Sequence, residues 1–569
     1  MTFTVGWLNE ADSLNPFTGF EAESYELWSL TYDYMIGYRP SDIAPVPTGL
    51  AESWESTSDG LTWTFTIREG VTFWDGEPLT ASDIAYTYER ILDGGPEAVT
   101  YGSYLGSVET VTAPDDTTVV LELSEPNAVL PLLPIPIVPE HIWSKISEEE
   151  VKSFSNEPPD VVGSGPFKVV EGKAGTSIYR LEANEDYWQG APNIDEVVFR
   201  VFNTEDLMIQ ALITGEIDFV EDIQVSSAEA LADEDAITTN NGVSPGFEEI
   251  AFNTGAVDTD TDTDEPIGDG HPALLDPEFR RALAYTVDND EIVDKVYDGA
   301  GEPGVSIIPP FYDTYFWPPE DEYEFDLDTA NQMLDDAGYE RGTDGIRTMP
   351  DTGEPISLRL HARSDSEYSK ETMEFYSEWL ADVGIESEVL LAESGKLTNI
   401  ILDGEFDLFQ WGWYVEPDPD SILEVMTCDA RGGSSDSWYC NEEYDRLYTQ
   451  QHSEVDDAKR AEMVQRMQQI LYEDVPYMVT AYTSIIEAYR SDRFTGFVPQ
   501  PEGGVLLIQY GVDNYLNIEP VTGGSSSTDD GGLSGAVIGA VVVGGVGAAL
   551  LAVVLFARRR DSATAEDRE

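Results

Sequence analysis

The sequence predicts a mixed α/β fold that is divided over more than one domain. Segments that alternate apolar and polar residues predict half-buried strands, and segments with apolar residues every three or four positions predict amphipathic helices. The chain has 569 residues, whereas a single hydrophobic core rarely grows beyond about 300 residues. A hydrophobic content of 41% is that of an ordinary globular protein. We therefore expect two or three compact domains.

The first clear elements are a strand and a helix in the N-terminal part of the chain. Trp63, Phe65 and Ile67 alternate with threonines, which predicts a strand with one buried face. Thr80 is followed three residues later by Asp83, the spacing of a helix capping pair. We therefore expect a helix to start directly after Thr80.

Later segments show the same two patterns, without a short internal repeat. Two further strands are predicted at Val197, Phe199 and Val201 and at Ile356, Leu358 and Leu360. Two further helices are predicted at Leu327, Ala330, Leu334 and Ala337, closed by Gly338, and at Ala461, Val464, Met467 and Leu471.

The charge of the chain is strongly negative along its whole length. There are 111 Asp and Glu residues against 29 Lys and Arg, a formal net charge of -82. In molar salt the Debye length falls to about 3 Å, so that repulsion between these carboxylates is screened. We interpret the composition as adaptation to a salt-loving habitat. It also argues against nucleic-acid binding, which requires basic patches.

The C-terminal region predicts a membrane anchor. Residues 535–556, "GAVIGAVVVGGVGAALLAVVLF", carry no charge, and a helix of this length spans about 33 Å, enough for a bilayer core. Residues 523–534 before this span predict a flexible linker. The tail at 557–569 begins with basic residues, which predicts a cytoplasmic C-terminus and an extracellular position for the bulk of the chain at the cell membrane.

The N-terminal residues do not match this export. The stretch "MTFTVGWLNEADSLNPF" has neither the basic start nor the apolar run of a signal peptide. We therefore expect that translation starts further upstream or that a signal was removed.

The two cysteines predict a disulfide bond. Cys428 and Cys440 are 12 residues apart, and no histidine that would complete a metal site lies between them. A disulfide fits an oxidising exterior, and a pair of free buried cysteines is the alternative. We expect no metal site and no cofactor.

Sequence signs of an enzyme are weak. The serine-hydrolase elbow has one match, "GVSPG" at 242–246, where Pro245 follows Ser244. Proline lacks the backbone N–H that this position donates to the oxyanion. The four histidines are scattered, and no phosphate-binding loop of the type G-x-x-x-x-G-K-[ST] occurs. We expect a binding protein, with a surface hydrolase as the alternative from another class.

Seven stretches along the chain, in this order, resemble one protein family. They are "LAESWESTSDGLTWTFTIREGVTFWDGEPLTASDIAYTYERIL" (50–92), "GSGPFKVVE" (163–171), "NEDYWQGAPNIDEVVFRVF" (184–202), "ALITGEIDFVE" (211–221), "FRRALAYTVDNDEIV" (279–293), "FDLFQWGW" (406–413) and "RMQQILYEDVPYM" (466–478). Together they resemble the extracellular solute-binding proteins of family 5, which serve ATP-binding cassette (ABC) importers of peptides and nickel. With the acidic composition, the resemblance suggests a haloarchaeal member.

The resemblance implies a fold and a division of the chain. It implies a two-lobed, hinged, periplasmic-binding-protein-like fold of type II, with ligand held between the lobes. The solute-binding domain would comprise residues 1–522, with an extra subdomain at roughly 45–165 and a second lobe at roughly 250–485. Permease subunits and separate ATPase subunits would be its partners, and the chain itself would not be an enzyme.

The stretch "WGWYVEPDPD" (411–420) holds the candidate ligand site. In peptide-binding members of the family, a Gly-Trp pair is followed by an aspartate that takes the α-ammonium of the ligand. Gly412 and Trp413 match the pair, and Glu416 replaces the aspartate, with Asp418 as its rival. Trp411 adds a second ring to the ligand-binding set. Tyr101 lies where the family has a ligand-facing tyrosine, and core packing is the alternative for its ring.

The function implied by the resemblance is the capture of peptides for import. We expect a membrane-anchored receptor that binds di- and oligopeptides and delivers them to the permease. Flat aromatic rings would suit a sugar equally well, so an oligosaccharide receptor stays open. A nickel-chelate receptor is the other alternative, although no histidine lies near the aromatic stretch.

Overall fold

The structure is a computed structural model that describes residues 1–521, except 20, 40–44, 131–132, 256–267, 311, 433–436, 501–502 and 508–511. The predicted linker at 523–534, the predicted membrane span at 535–556 and the predicted tail at 557–569 lie outside the described residues. Within the described part of the chain, no helix is long and apolar enough to cross a bilayer.

Strands and helices alternate along most of the described chain. The strands are β1 (Thr2–Trp7), β2 (Gly37–Tyr38), β3 (Pro45–Val46), β4 (Ala51–Ser56), β5 (Thr62–Ile67), β6 (Val108–Asp115), β7 (Thr118–Leu123), β8 (Phe167–Glu171), β9 (Ile178–Ala183), β10 (Glu196–Val201), β11 (Phe219–Val220), β12 (Ile237–Val243), β13 (Gly246–Phe252), β14 (Gly301–Pro303), β15 (Ser357–Arg363), β16 (Glu386–Ala392), β17 (Leu408–Tyr414), β18 (Tyr477–Arg490), β19 (Phe494–Thr495) and β20 (Glu519–Pro520). The α-helices are α1 (Ala22–Thr31), α2 (Ala81–Leu92), α3 (Gly95–Tyr101), α4 (Glu140–Trp143), α5 (Glu148–Val151), α6 (Glu205–Thr214), α7 (Val225–Leu231), α8 (Pro277–Ala284), α9 (Asn289–Lys295), α10 (Leu327–Asp336), α11 (Glu367–Asp382), α12 (Ser394–Leu402), α13 (Asp420–Glu424), α14 (Glu442–Ser453), α15 (Asp457–Asp474) and α16 (Asp513–Asn517).

The predicted elements are confirmed. The three predicted strands are β5, β10 and β15, and the three predicted helices are α2, α10 and α15. Thr80 and Asp83 form the predicted capping box at the start of α2. Gly338 follows α10 with a φ of 89°, a left-handed conformation that glycine adopts without steric cost.

The described chain divides into two compact units. Unit 1 comprises Met1–Gly242 together with the described residues from Ile485 onward, and unit 2 comprises Val243–Ser484. The extra subdomain predicted at roughly 45–165 falls within unit 1. The second lobe was predicted at roughly 250–485, and unit 2 comprises Val243–Ser484.

Unit 1 contains two large sheets, besides the two-stranded pairs β2–β3 and β19–β20. In the first, β1 pairs in parallel with β10 and β11, while β9 and the end of β18 add antiparallel strands. Aromatic side chains such as Phe3, Phe199 and Phe219 fill the core beside this sheet. The second sheet is antiparallel, in the order β4–β5–β7–β6, and its apolar residues share a core with α2.

Unit 2 is built on one sheet in the order β16–β15–β17–β13–β18, with β14 also paired to β18. The strands β16, β15 and β17 are mutually parallel, whereas β13 runs antiparallel to both β17 and β18. Leu358, Leu360 and Ala362 of β15 are buried against α11, which explains the apolar pattern that predicted this strand.

Unit 1 contains carboxyl groups that are shielded from water. Glu26 accepts hydrogen bonds from the Trp7 indole Nε1, at 3.0 Å, and from the Tyr515 hydroxyl. Burial raises the pKa of Glu26 to about 8, and burial also raises the pKa of Glu487 to about 7. Burial raises the pKa of Glu221 as well, and these three groups repel one another when ionised.

The Glu26→Gln substitution should remove a pH dependence of stability. The folded state holds a proton on Glu26 that the unfolded chain loses near pH 4.5, so this carboxyl destabilises the fold increasingly as the pH rises toward about 8. Glutamine can accept from Trp7 and donate to Tyr515. We expect the variant to be more stable than the parent at pH 9 by a few kcal/mol, since one pKa unit corresponds to about 1.4 kcal/mol.

Urea unfolding at pH 5 and pH 9 measures this difference. Glu77→Gln, which removes an exposed carboxylate, is the matched control and should leave both stabilities close to those of the parent. A Glu26→Gln protein whose stability falls between pH 5 and pH 9 as steeply as that of the parent would contradict the prediction.

Candidate functional site

The predicted aromatic stretch lies at the end of β17, and most of this strand has a neighbouring strand on one side only. The strand β13 pairs with β17 along its whole length, from Gly246 opposite Tyr414 to Phe252 opposite Leu408. On the other side, β15 pairs only as far as Phe409. Beyond Phe409, this side of β17 has no strand partner in the described chain. We call this side the open edge of β17.

The backbone of Gly412 faces the open edge. The Val415 N–H donates to the Pro245 carbonyl, at 3.0 Å, which makes these two residues a hydrogen-bonded pair. Such pairs alternate along an antiparallel ladder. Trp413 and Trp411 therefore bond to β13, whereas Gly412 between them directs its N–H and C=O away from β13.

Two indole rings follow one another on the same face of β17. The Trp411 ring is 9% exposed, and the Arg363 guanidinium lies over it, 4.8 Å from the ring centroid. The Trp413 ring is half-buried, and its indole N–H is buried without a hydrogen-bond partner in the described chain. An indole N–H in this state is available to a ligand acceptor.

A charged group lies beside Gly412. The Glu248 carboxylate accepts a hydrogen bond from the Gln410 side-chain amide at 2.6 Å, and its Oε2 atom is 3.7 Å from the Arg363 Nη2 atom. Burial raises the pKa of Glu248 to about 7, although the Arg363 charge and the Gln410 hydrogen bond both favour the ionised form. The Glu248 carboxyl group and the cationic Arg363 side chain therefore both lie near the open edge of β17.

Glu416, the predicted amine anchor, directly follows this edge. Val415 before it is held at both ends, because its N–H bonds to Pro245 and its carbonyl accepts from the Tyr312 hydroxyl. This fixes the direction in which the chain leaves β17. Glu416 itself is half-buried.

Asp418, the rival of Glu416, has a structural partner. Its Oδ1 atom accepts from Arg460 Nη2 at 2.7 Å, its Oδ2 atom accepts from Arg460 Nη1, and both side chains are buried. The backbone N–H of Asp420 also donates to Oδ1, at 2.9 Å. An amine ligand would have to displace a bidentate guanidinium. No local pattern in the sequence indicates this pairing, and the Asp418 carboxylate is already occupied by Arg460.

Removal of the Asp418 charge should destabilise unit 2. In Asp418→Asn, the buried Arg460 loses its counter-charge, which costs roughly 3–5 kcal/mol for a buried ion pair broken on one side. Urea unfolding at pH 7 measures the loss, and Asp429→Asn, on an exposed aspartate, is the control. An Asp418→Asn protein as stable as the parent would show that this ion pair contributes nothing.

Tyr101 lies in unit 1, in the core that α2 and α3 share with the antiparallel sheet. Its ring meets Phe17 edge-on, with centroids 6.0 Å apart, and it also contacts the Tyr104 ring. Its hydroxyl is buried and has no hydrogen-bond partner in the described chain. Tyr101 and β17 therefore belong to different units of the described chain, and packing alone does not explain the buried Tyr101 hydroxyl.

The predicted disulfide is confirmed. Cys428 and Cys440 are bonded, with a sulfur–sulfur distance of 2.05 Å. The bond joins the turn after α13 to the residues before α14, and the Cys428 N–H also donates to Asp445 at 3.1 Å. It closes a loop on the C-terminal side of the candidate site.

Sequence reasoning missed Glu248, Arg363 and Gln410. One signal was present in "GFEEIAF" (246–252), where two acids interrupt an otherwise apolar strand. Acids are rarely buried without a functional or structural partner. Arg363 also stood at the end of a predicted strand, in a chain with few cations.

Comparison with known proteins identifies the family. The model described as "Bacterial extracellular solute-binding proteins, family 5 Middle" matches residues 45–434. The chain belongs to this family. It is 30% identical over 512 residues to protein XP55 of Streptomyces lividans, covering 88% of this chain and 86% of that protein. It is also 26% identical over 490 residues to the oligopeptide-binding protein AppA of Bacillus subtilis, covering 84% and 85%.

A solved structure supports the same fold. The oligopeptide-binding protein AppA from Bacillus subtilis, in complex with a nonapeptide, superimposes with a TM-score of 0.68 at 23% identity, covering 92% of this chain and 99% of that chain. The family resemblance seen in the sequence is confirmed, and so is a mixed α/β, two-lobed, periplasmic-binding-protein-like fold. Members of this family are substrate-binding proteins and not enzymes.

Proposed function

We propose that this chain is the substrate-binding component of an ABC importer that captures peptides and delivers them to the permease. The observation that carries the proposal is the open edge of β17. There Gly412 presents an N–H and a C=O, and no strand of the described chain pairs with them. An extended peptide can add to such an edge as one more strand.

The surroundings of the open edge suit a peptide. Backbone pairing supplies affinity that does not depend on the ligand sequence. The Trp411 and Trp413 rings supply apolar contact area at little entropic cost. The absence of a side chain at Gly412 leaves room for the Glu248 carboxylate beside this backbone. The names of the relatives, which include an oligopeptide-binding protein, support the same ligand class.

Glu416 is the proposed partner of the ligand α-ammonium. It stands at the end of the open edge, and Val415 before it is fixed by two hydrogen bonds. A carboxylate–ammonium pair in a site shielded from water is strong only when it is well paired. Asp418 does not compete for this role, because Arg460 already neutralises it.

Identification of the natural ligand tests the proposal. The purified domain is incubated with pools of peptides and of oligosaccharides, and retained molecules are identified by mass spectrometry. We expect peptides. Retained oligosaccharides would favour the sugar receptor, to which the two indole rings are equally suited. A separate incubation with nickel chelates tests the metal-chelate receptor, which retained nickel would favour. Turnover of the pool would indicate a hydrolase and contradict the proposal.

The Glu416→Gln substitution tests the amine anchor. It keeps the size of the side chain and removes its charge, which should cost roughly 2–5 kcal/mol, or about 30-fold to several-thousand-fold in Kd. Titration calorimetry with a free and an N-acetylated form of one retained peptide measures the loss. We expect the free peptide to lose affinity and the acetylated peptide to change little.

Two controls complete this test. Glu405→Gln, on an exposed glutamate before β17, should bind the free peptide like the parent. Trp413→Ala should weaken both peptide forms, because it removes contact area and not charge. Equal affinity of parent and Glu416→Gln for the free peptide would refute the anchor.

We also propose that the domain is extracellular, anchored by residues 535–556 and adapted to molar salt. The apolar span, the basic residues that follow it and the net charge of -82 support this picture. Protease added to intact cells should digest the large domain and spare a C-terminal tag. Loss of the tag with the domain intact would contradict the orientation.

A further inference from the structure

The Glu248 carboxylate occupies the space that a side chain at position 412 would take. Glu248 lies on β13 directly opposite Gly412. A Cβ atom at Gly412 would come within 2.5 Å of the Glu248 Oε1 atom. A negative charge is therefore placed beside the backbone that faces the open edge of β17.

Gln410 connects this carboxylate to the nearest cation. Its amide nitrogen donates to Glu248 at 2.6 Å, and its amide oxygen accepts from Arg363 Nη2 at 3.1 Å. The direct distance between Arg363 Nη2 and Glu248 Oε2 is 3.7 Å, which is too long for a hydrogen bond but close for two charges. Glu248 therefore compensates the charge of Arg363 without using all of its donors.

Arg363 keeps an unused donor. Its Nε–H is buried without a hydrogen-bond partner in the described chain. Its side chain is 21% exposed, and its Cζ atom lies over the Trp411 ring, 4.8 Å from the ring centroid. A guanidinium N–H without a partner can donate either to a carboxylate or to a carbonyl oxygen.

The charge of Glu248 separates these two ligands. A carboxylate that approaches Arg363 also approaches Glu248, so the attraction to one charge is opposed by the repulsion from the other. A neutral peptide carbonyl can accept the Arg363 N–H without this repulsion.

We propose that Glu248 makes the site select peptides that present a neutral carbonyl, and not a free C-terminal carboxylate, at Arg363. This inference rests on the proposed function and narrows its substrate class. The favoured ligands are peptides whose chain continues past Arg363, or whose C-terminus is blocked.

Titration calorimetry at pH 8.5, where Glu248 is ionised, tests the selection. The probes are alanine peptides of two to five residues, each as the free acid and as the C-terminal amide. The measured quantity is the ratio of the two Kd values at each length, for the parent, Glu248→Gln, Arg363→Met and the double variant. Thermal melting of each protein establishes that it is folded.

We expect the parent to prefer the amide by about tenfold at the length that brings the terminus to Arg363. Glu248→Gln should reverse or abolish this preference, because Arg363 then attracts the carboxylate unopposed. In the Arg363→Met background, Glu248→Gln should not raise the affinity for the free acid. This result would show that the two side chains act as a pair. Glu405→Gln is the control for the loss of one carboxylate at a distance from the pair.

If the ratio of the Kd values of the free acid and the amide is the same for the parent and for Glu248→Gln at every peptide length, the inference is overturned. The proposed peptide binding would not be affected by this result. A gain for the free acid that persists in the Arg363→Met background would also overturn it, because Glu248 would then act by general repulsion. A parent protein that binds none of the peptides would overturn the proposed function and, with it, the inference.

Discussion

The candidate site depends on the one-sided pairing of β17. Because β15 pairs with this strand only as far as Phe409, a central strand of the unit 2 sheet has backbone groups without a strand partner in the described chain. In most sheets, such unpaired groups lie on an outer strand. Unpaired backbone groups away from water are costly. A ligand that supplies the missing hydrogen bonds therefore stabilises the structure it binds. The glycine at 412, the two indole rings and Glu416 are all arranged along this one edge.

Two acids near this edge show how pairing geometry decides the role of a buried charge. Asp418 is held by two hydrogen bonds to Arg460, so that its charge is neutralised and its oxygens are occupied. The Glu248 carboxylate lies 3.7 Å from the Arg363 guanidinium, and it accepts its hydrogen bond from the Gln410 amide instead. The first arrangement stabilises the fold. The second leaves the Arg363 Nε–H without a hydrogen-bond partner in the described chain and places a carboxyl group beside the open edge of β17.

The local parts of this structure were predictable and the non-local parts were not. The strands β5 and β15 and the helices α2 and α15 follow from periodicity and from a capping pair, which depend on neighbouring residues. The pairing of Asp418 with Arg460 joins residues 42 positions apart, and that of Glu248 with Gln410 joins residues 162 positions apart. No local pattern encodes such contacts. Family resemblance located Gly412, Trp413 and Glu416, but it did not show which edge of the strand is open.

Amide hydrogen exchange resolved at Gly412 tests most directly whether peptide backbone pairs with the open edge of β17. The Trp411 and Trp413 amides already bond to β13, so they should be protected with and without ligand. The Gly412 amide should exchange faster than its neighbours in the free protein and slow markedly at saturating peptide. A Gly412 amide that exchanges at the same rate in both states would contradict the account.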